Sequence, residues 1–174
     1  MLRRLLPKQT VHTVYDIDWA LLKKNGIKGV ITDLDNTLVG AKDPLATPRL
    51  IEWLATMKTN GFQVVIVSNN NYARVAKFAE PLNLPFIPVA RKPSNRAFVK
   101  ALRIMKLTPA EAVMIGDQML TDVFGGNRMG LYTILVSPIS IKDEGFMTRI
   151  NRRIERFALA RLKKSGITEL PRRD

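Results

Sequence analysis

Gly29-Val-Ile-Thr-Asp-Leu-Asp-Asn-Thr-Leu-Val39 decides the fold. The stretch begins as a short apolar run, which suits a central parallel strand covered on both faces. It ends in two carboxylates, Asp33 and Asp35, which a buried strand does not need. In an open α/β sheet, ligands bind at the carboxyl ends of the strands. Asn36 and Thr37 follow at once, so the chain leaves the strand into a loop. Two aspartates one residue apart then stand at the sheet edge, where they can share a cation.

The pattern around this strand is periodic. An apolar stripe from about Arg49 to Thr59, stopped by Asn60-Gly61, predicts a helix. Phe62–Val67 predicts a second buried strand, ending in Ser68-Asn69-Asn70-Asn71. A helix over Tyr72–Ala79 and a short strand near Phe86–Val89 come next. Ser94 can cap a helix running to about Met105, and Ala112–Ile115 reads as another buried strand, ending in Gly116-Asp117. A helix from about Thr121 to Arg128 and a strand over Tyr132–Val136 complete the series. Strands alternating with helices predict right-handed crossovers and a parallel sheet covered on both faces. Ahead of it, residues 1–28 read as a basic extension with a short helix capped by Asp18 and ended by Gly26; residues 138–174 read as a linker and a basic helix. His12, the only histidine, is expected to be a surface or packing residue, since no second His or Cys could share a metal with it.

The 174 residues suit one domain with a real core, and 46% hydrophobic content argues against wholesale disorder. No apolar run is long enough to span a bilayer, and the first residues lack the features of a secretory signal. With no cysteine, disulfides and thiolate metal sites are excluded, in keeping with a cytoplasmic protein. The 28 basic and 15 acidic residues give a net charge of +13. That balance favours an anionic partner, whether nucleic acid, an acidic membrane surface or a phosphorylated substrate.

Three predicted strands end in polar residues: Asp33/Asp35, Ser68/Asn69 and Gly116-Asp117, with Asp122 beyond. Lys92 lies on a loop before a helix. Each alone is ordinary turn chemistry. In a parallel sheet, all four stations can meet on one edge. In this order, Asp33-Leu-Asp-Asn-Thr-Leu resembles the first motif of the haloacid dehalogenase (HAD) superfamily of phosphatases, Ser68 the second, Lys92 the third and Gly116-Asp117…Asp122 the fourth. The match covers roughly residues 29–137. Within the superfamily the chain is most similar to the capless subclass IIIA and its YqeG group, which resembles the phosphatidylglycerophosphate phosphatases. Asn36 stands where the superfamily often has glycine, a departure the YqeG group shares.

The resemblance implies a three-layer Rossmann-like fold and a phosphomonoesterase. It implies that Asp33 attacks phosphorus and forms an aspartyl-phosphate. Asp35 would protonate the leaving alcohol and then take a proton from water, with Thr37 holding it in position. Ser68 and the Asn69 backbone would bind the phosphate, with Lys92 adding a fixed positive charge. Mg2+ would be held by the Asp33 carboxylate, the Asp35 backbone carbonyl and Asp117, with Asp122 acting through water or by holding Lys92. The glycine-rich Gly125–Gly130 follows no strand and reads as close helix packing and a helix stop.

Neither gap between the motifs holds a cap domain, so the site is expected to be open. That suits a bulky substrate on a surface, or a cap borrowed from a neighbouring subunit. Between Phe146 and Lys164, Phe146, Met147, Ile150, Ile154, Phe157, Ala158 and Leu162 recur at helical spacing, with Arg149, Arg152, Arg153, Arg156 and Lys163 mostly opposite. Such a helix can lie on an anionic membrane or pack on the domain, and the sequence leaves both open. Leu2, Arg3, Arg4, Leu5, Leu6 and Lys8 could add a second contact. The favoured expectation is a Mg2+-dependent phosphatase of a lipid headgroup, phosphatidylglycerophosphate, at the inner membrane surface. Its rivals are a phosphatase of a soluble sugar or nucleotide phosphate, and a nucleic-acid- or ribosome-associated protein with a vestigial site.

Overall fold

The computed structural model describes residues 2–140 and, beyond them, Arg153, Glu155, Phe157, Ala160 and Arg161. Six parallel strands form one sheet in the order β1-β6-β5-β2-β3-β4. They are β1 (Gln9–Val11), β2 (Gly29–Thr32), β3 (Gln63–Val67), β4 (Phe86–Ile87), β5 (Ala112–Gly116) and β6 (Tyr132–Val136). The helices are α1 (Trp19–Lys24), α2 (Pro48–Thr59), α3 (Tyr72–Ala79), α4 (Asn95–Met105) and α5 (Phe124–Met129).

Strand pleating divides the core in two. Val30, Val64, Ile66, Val113, Ile115, Ile134 and Val136 face α1, α2 and α3, meeting Leu22, Leu50, Trp53, Met57, Val75 and Phe78. Ile31, Val65, Val67 and Met114 face the other way, onto Ala97, Phe98, Ala101, Leu102 and Met105 of α4. Every residue of β2 and β5 is buried, as a strand covered on both faces requires. On the α4 side, α5 lies close to the sheet: a Cβ on Gly126 would stand 2.7 Å from Thr133 Cγ2. One on Gly125 would stand 2.8 Å from the Phe98 ring. Gly130 ends α5 at φ 77°. The glycine-rich stretch is a packing and stop element.

The two helical layers differ in charge. Neither α4 nor α5 contains an acidic residue. Together with the preceding loop and the 3-10 turn Leu2–Leu5, they expose Arg3, Arg4, Arg91, Arg96, Lys100, Arg103 and Arg128. The α1–α3 layer mixes its cations with Asp16, Asp18, Glu52 and Glu80.

Several elements depart from expectation. The stretch read as an extension adds an edge strand, β1, which pairs with β6 at Gln9↔Ile134. Three residues are too few to display a period. β4 stops at Ile87, because Val89 turns to φ 46°. The helix expected from Thr121 opens as a π-turn over Met119–Val123, and α5 proper begins at Phe124. His12 is exposed. The expected C-terminal helix lies outside the described residues, apart from five positions, all helical. Among these, Glu155 is buried and its Oε1 accepts the Leu120 N–H at 3.1 Å. No cap domain is inserted between the motifs. Among the described residues, no helix is long and apolar enough to cross a membrane.

Candidate active site

Register brings the polar stations together. Thr32 of β2 lies level with Ile66 of β3 and Ile115 of β5. Asp33 therefore emerges beside Val67 and Gly116, with Ser68 and Asp117 one residue further on. The chain runs from β2 to β3 and β4 on one side, then crosses to β5 and β6 on the other. The carboxyl ends of β2 and β5 thus form the switch point where such sheets bind ligands. There, a cavity of about 290 Å³ is lined by Asp33, Asp35, Asn36, Ser68, Asn69, Asn70, Lys92, Gln118 and Thr121, among others.

At its floor, Lys92 is 5% exposed and ion-paired to two carboxylates, Asp33 Oδ1 at 2.9 Å and Asp122 Oδ1 at 2.7 Å. Burial disfavours the Lys92 ammonium, but Asp122 and Asp33 outweigh it and raise the pKa above that of an ordinary lysine. Burial pushes the Asp122 carboxyl up to about 6; Lys92 opposes the rise and Asp33 adds to it. Gln118 N–H donates to Asp122 Oδ2 at 3.1 Å. The carboxyl fills the space a Cβ on Gly116 would occupy, which gives the Gly116-Asp117 pair its packing reason.

Asp33, Asp117 and Asp122 each offer a carboxylate oxygen within 4.8 Å of the others, and all three are buried. Three buried carboxylates against one ammonium leave a deficit of two positive charges. An all-oxygen donor set of that charge fits a hard divalent ion such as Mg2+. Thr37 was expected to hold Asp35. Its hydroxyl instead donates to Asp117 Oδ1 at 3.3 Å, because the turn after β2 carries residue 37 back toward β5. That turn needs Asn36 at φ 65°, a left-handed conformation that favours Gly or Asn. Asn36 Oδ1 also accepts the Ser140 N–H at 3.3 Å.

The segment after β3 ties several parts of the site together. Ser68 Oγ accepts the Asn70 N–H at 3.1 Å. The Asn69 side chain grips the Lys92 backbone, accepting its N–H at 2.7 Å and donating to its carbonyl at 3.2 Å. Asn70 Nδ2 donates to Asp35 Oδ2 at 2.9 Å, and Asn71 caps α3 through the Arg74 N–H. Arg74 donates from Nε and Nη2 to Asp35 Oδ1, at 3.0 and 2.8 Å. Sequence reasoning gives neither Asn70 nor Arg74 a role in the site: one reads as a turn residue, the other as a solvated helical cation. The only available signal was their place two and six residues after Ser68.

Comparison with known proteins gives the same picture. Residues 30–100 match the haloacid dehalogenase-like hydrolase family, and residues 89–138 match a second family of HAD-like hydrolases. The probable phosphatase YqeG of Bacillus subtilis is 54% identical over 161 residues, covering 92% of this chain and 93% of that protein. Phosphatidylglycerophosphate phosphatase 1, chloroplastic/mitochondrial, of Arabidopsis thaliana is 32% identical over 172 residues, covering 94% of this chain and 49% of that protein. Among solved structures, a HAD phosphatase from Thermococcus onnurineus shares the fold, with a TM-score of 0.54 and 16% identity over 69% of this chain and 90% of that one.

Proposed function

The chain belongs to the YqeG group of the haloacid dehalogenase-like hydrolases and is a phosphatase of that type; on that premise we propose that it removes the phosphomonoester of phosphatidylglycerophosphate, through an aspartyl-phosphate on Asp33. The observation that carries the chemistry is the buried Asp33–Lys92–Asp122 arrangement beside Asp117, with Asp35 two residues beyond the nucleophile.

An Asp33 oxygen attacks phosphorus in line as the bond to the leaving oxygen breaks. Asp35 gives the leaving oxygen its proton. Water then attacks the aspartyl-phosphate, its proton passing to Asp35, and inorganic phosphate departs as Asp33 is regenerated. Lys92 supplies a fixed positive charge at Asp33, and Ser68 and the Asn69 backbone hydrogen-bond to the phosphoryl oxygens. Asp33, Asp117 and the Asp35 carbonyl would hold Mg2+, with Asp122 holding Lys92. When bound, the ion neutralises charge between the carboxylate and the substrate.

Three features favour a lipid headgroup. Among the described residues, no cap domain interrupts the motifs to enclose a small substrate. The plant relative acts, by its name, on phosphatidylglycerophosphate. The helices α4 and α5 carry no acidic residue, and their exposed cations, with Arg91 next to Lys92 in the chain, suit an anionic membrane surface. Phosphate release from phosphatidylglycerophosphate in mixed micelles with Mg2+, measured beside a panel of soluble phosphomonoesters, tests the reading. Strong preference for the lipid is expected. Preference for a soluble sugar or nucleotide phosphate overturns the substrate and leaves the chemistry standing.

A further inference from the structure

Asp35 carries two oxygens and hence about four lone-pair sites for hydrogen bonds. Arg74 Nε and Nη2 occupy both sites on Oδ1, at 3.0 and 2.8 Å. Asn70 Nδ2 occupies one site on Oδ2, at 2.9 Å. The orientation of that amide is fixed by its other end, since Asn70 Oδ1 accepts the Asn71 N–H at 2.8 Å and only Nδ2 can then face Asp35. One lone pair on Oδ2 remains. The clasp is largely out of solvent, with the Arg74 and Asp35 side chains 14% and 18% exposed. It is also pre-organised: Asn71 caps α3 through the Arg74 N–H at 2.9 Å, which sets the root of the arginine.

We infer that Arg74 and Asn70 are positioning residues that lock the Asp35 carboxyl and make Oδ2 the atom that exchanges the proton. This rests on the acid–base role proposed for Asp35. As Asp33 bonds to phosphorus and the leaving oxygen departs, the proton moves from Oδ2 to that oxygen. In the second half, a proton from the attacking water returns to Oδ2. Arg74 and Asn70 donate hydrogen bonds to the carboxyl and exchange no proton. Without the fork, both oxygens are exposed to competing donors, and the side chain samples rotamers in which neither reaches the leaving group.

The test uses the dependence of kcat/KM on the leaving group, because kcat/KM reports the steps up to aspartyl-phosphate formation. A p-nitrophenolate leaves without needing a proton; an alkoxide, as from glycerol 3-phosphate, does not. Asp35→Asn is expected to lower kcat/KM on the alkyl substrate by about 10²–10⁴-fold and on p-nitrophenyl phosphate far less, the range typical of general acid catalysis. Arg74→Lys keeps the charge and the fold but cannot place two donors on one oxygen. It is expected to lose about tenfold or more on the alkyl substrate and to stay within about twofold on the aryl one. Arg74→Ala should show the same selectivity, and millimolar guanidinium should restore its alkyl activity. If Asp35→Asn is selective but Arg74→Lys matches the parent, or falls equally on both substrates, the clasp is merely structural and the inference fails. If Asp35→Asn itself shows no selectivity, the acid–base reading of Asp35 fails instead.

Discussion

Replacing Lys92 with methionine keeps an unbranched buried side chain, one atom shorter, and removes the ammonium. Lys92 neutralises Asp33 and Asp122 at 2.9 and 2.7 Å, in a site where both carboxylates and Asp117 are buried. Removing one partner of a buried ion pair costs roughly 3–5 kcal/mol, because the other charge is left uncompensated. For a chain of this size, each kcal/mol lowers Tm by roughly 2–4 °C, so Lys92→Met is expected to melt about 6–20 °C below the parent. Thermal and urea unfolding in EDTA at pH 7 measure this. The double variant Lys92→Met/Asp122→Asn removes a facing carboxylate as well. It should recover part of the loss, giving a coupling of about 1–3 kcal/mol in a double-mutant cycle. Mg2+ should stabilise Lys92→Met more than the parent, since the variant's three carboxylates face no ammonium. A loss below about 1 kcal/mol in EDTA, or strict additivity in the cycle, would refute the view that Lys92 is the charge keystone of the site.

Other outcomes follow from the same geometry. Asp33→Asn should abolish phosphate release, since an amide cannot serve as the nucleophile; residual turnover by a purified variant would contradict the aspartyl-phosphate route. Asp117→Asn should lower the rate and shift the Mg2+ titration to higher concentration, and an unchanged titration would remove Asp117 from the metal site. Burial holds the Asp122 carboxyl near 6, against 3.8 for an unperturbed group, so the folded protein binds that proton more tightly than the unfolded chain. Its stabilising contribution in metal-free buffer is full below about 3.8 and is lost as pH rises through about 6. Asp122→Asn should flatten that part of a urea-stability profile. Asn36→Ala should cost about 1–2 kcal/mol for a left-handed non-glycine residue, and Asn36→Gly less, as urea midpoints would show.

The sequence told most where burial on both faces leaves a compositional mark. Val30-Ile31, Val64–Val67 and Val113–Ile115 are apolar runs that each reach an acid or amide two residues later, and the sheet register places those ends side by side. Polar groups aligned by hydrogen bonds rather than by hydrophobic period left weaker traces. β1 is three residues held at the edge by β6, and nothing in Gln9-Thr10-Val11 distinguishes it from a loop. Thr37 points to Asp117 because of a backbone turn at Asn36, a direction no spacing argument contains. Arg74 looks like any exposed helical arginine until α3 is docked over the turn that carries Asp35. Lys92 and Asp122 were legible only as members of an ordered set, since the pairing is made by side chains thirty residues apart.

The run of three asparagines after Ser68 has a consequence for how this fold can be elaborated. Asn69 fastens the Lys92 loop, Asn70 fastens Asp35, and Asn71 starts the helix that delivers Arg74. Each link in the junction between β3 and α3 already serves a different wall of the pocket. An inserted domain at this point would separate the fasteners from one another and unseat both the lysine and the acid. A cap grafted into the longer loop before α2, between Gly40 and Thr47, would leave all of them in place. The architecture thus admits new specificity modules on one side of the pocket and resists them on the other.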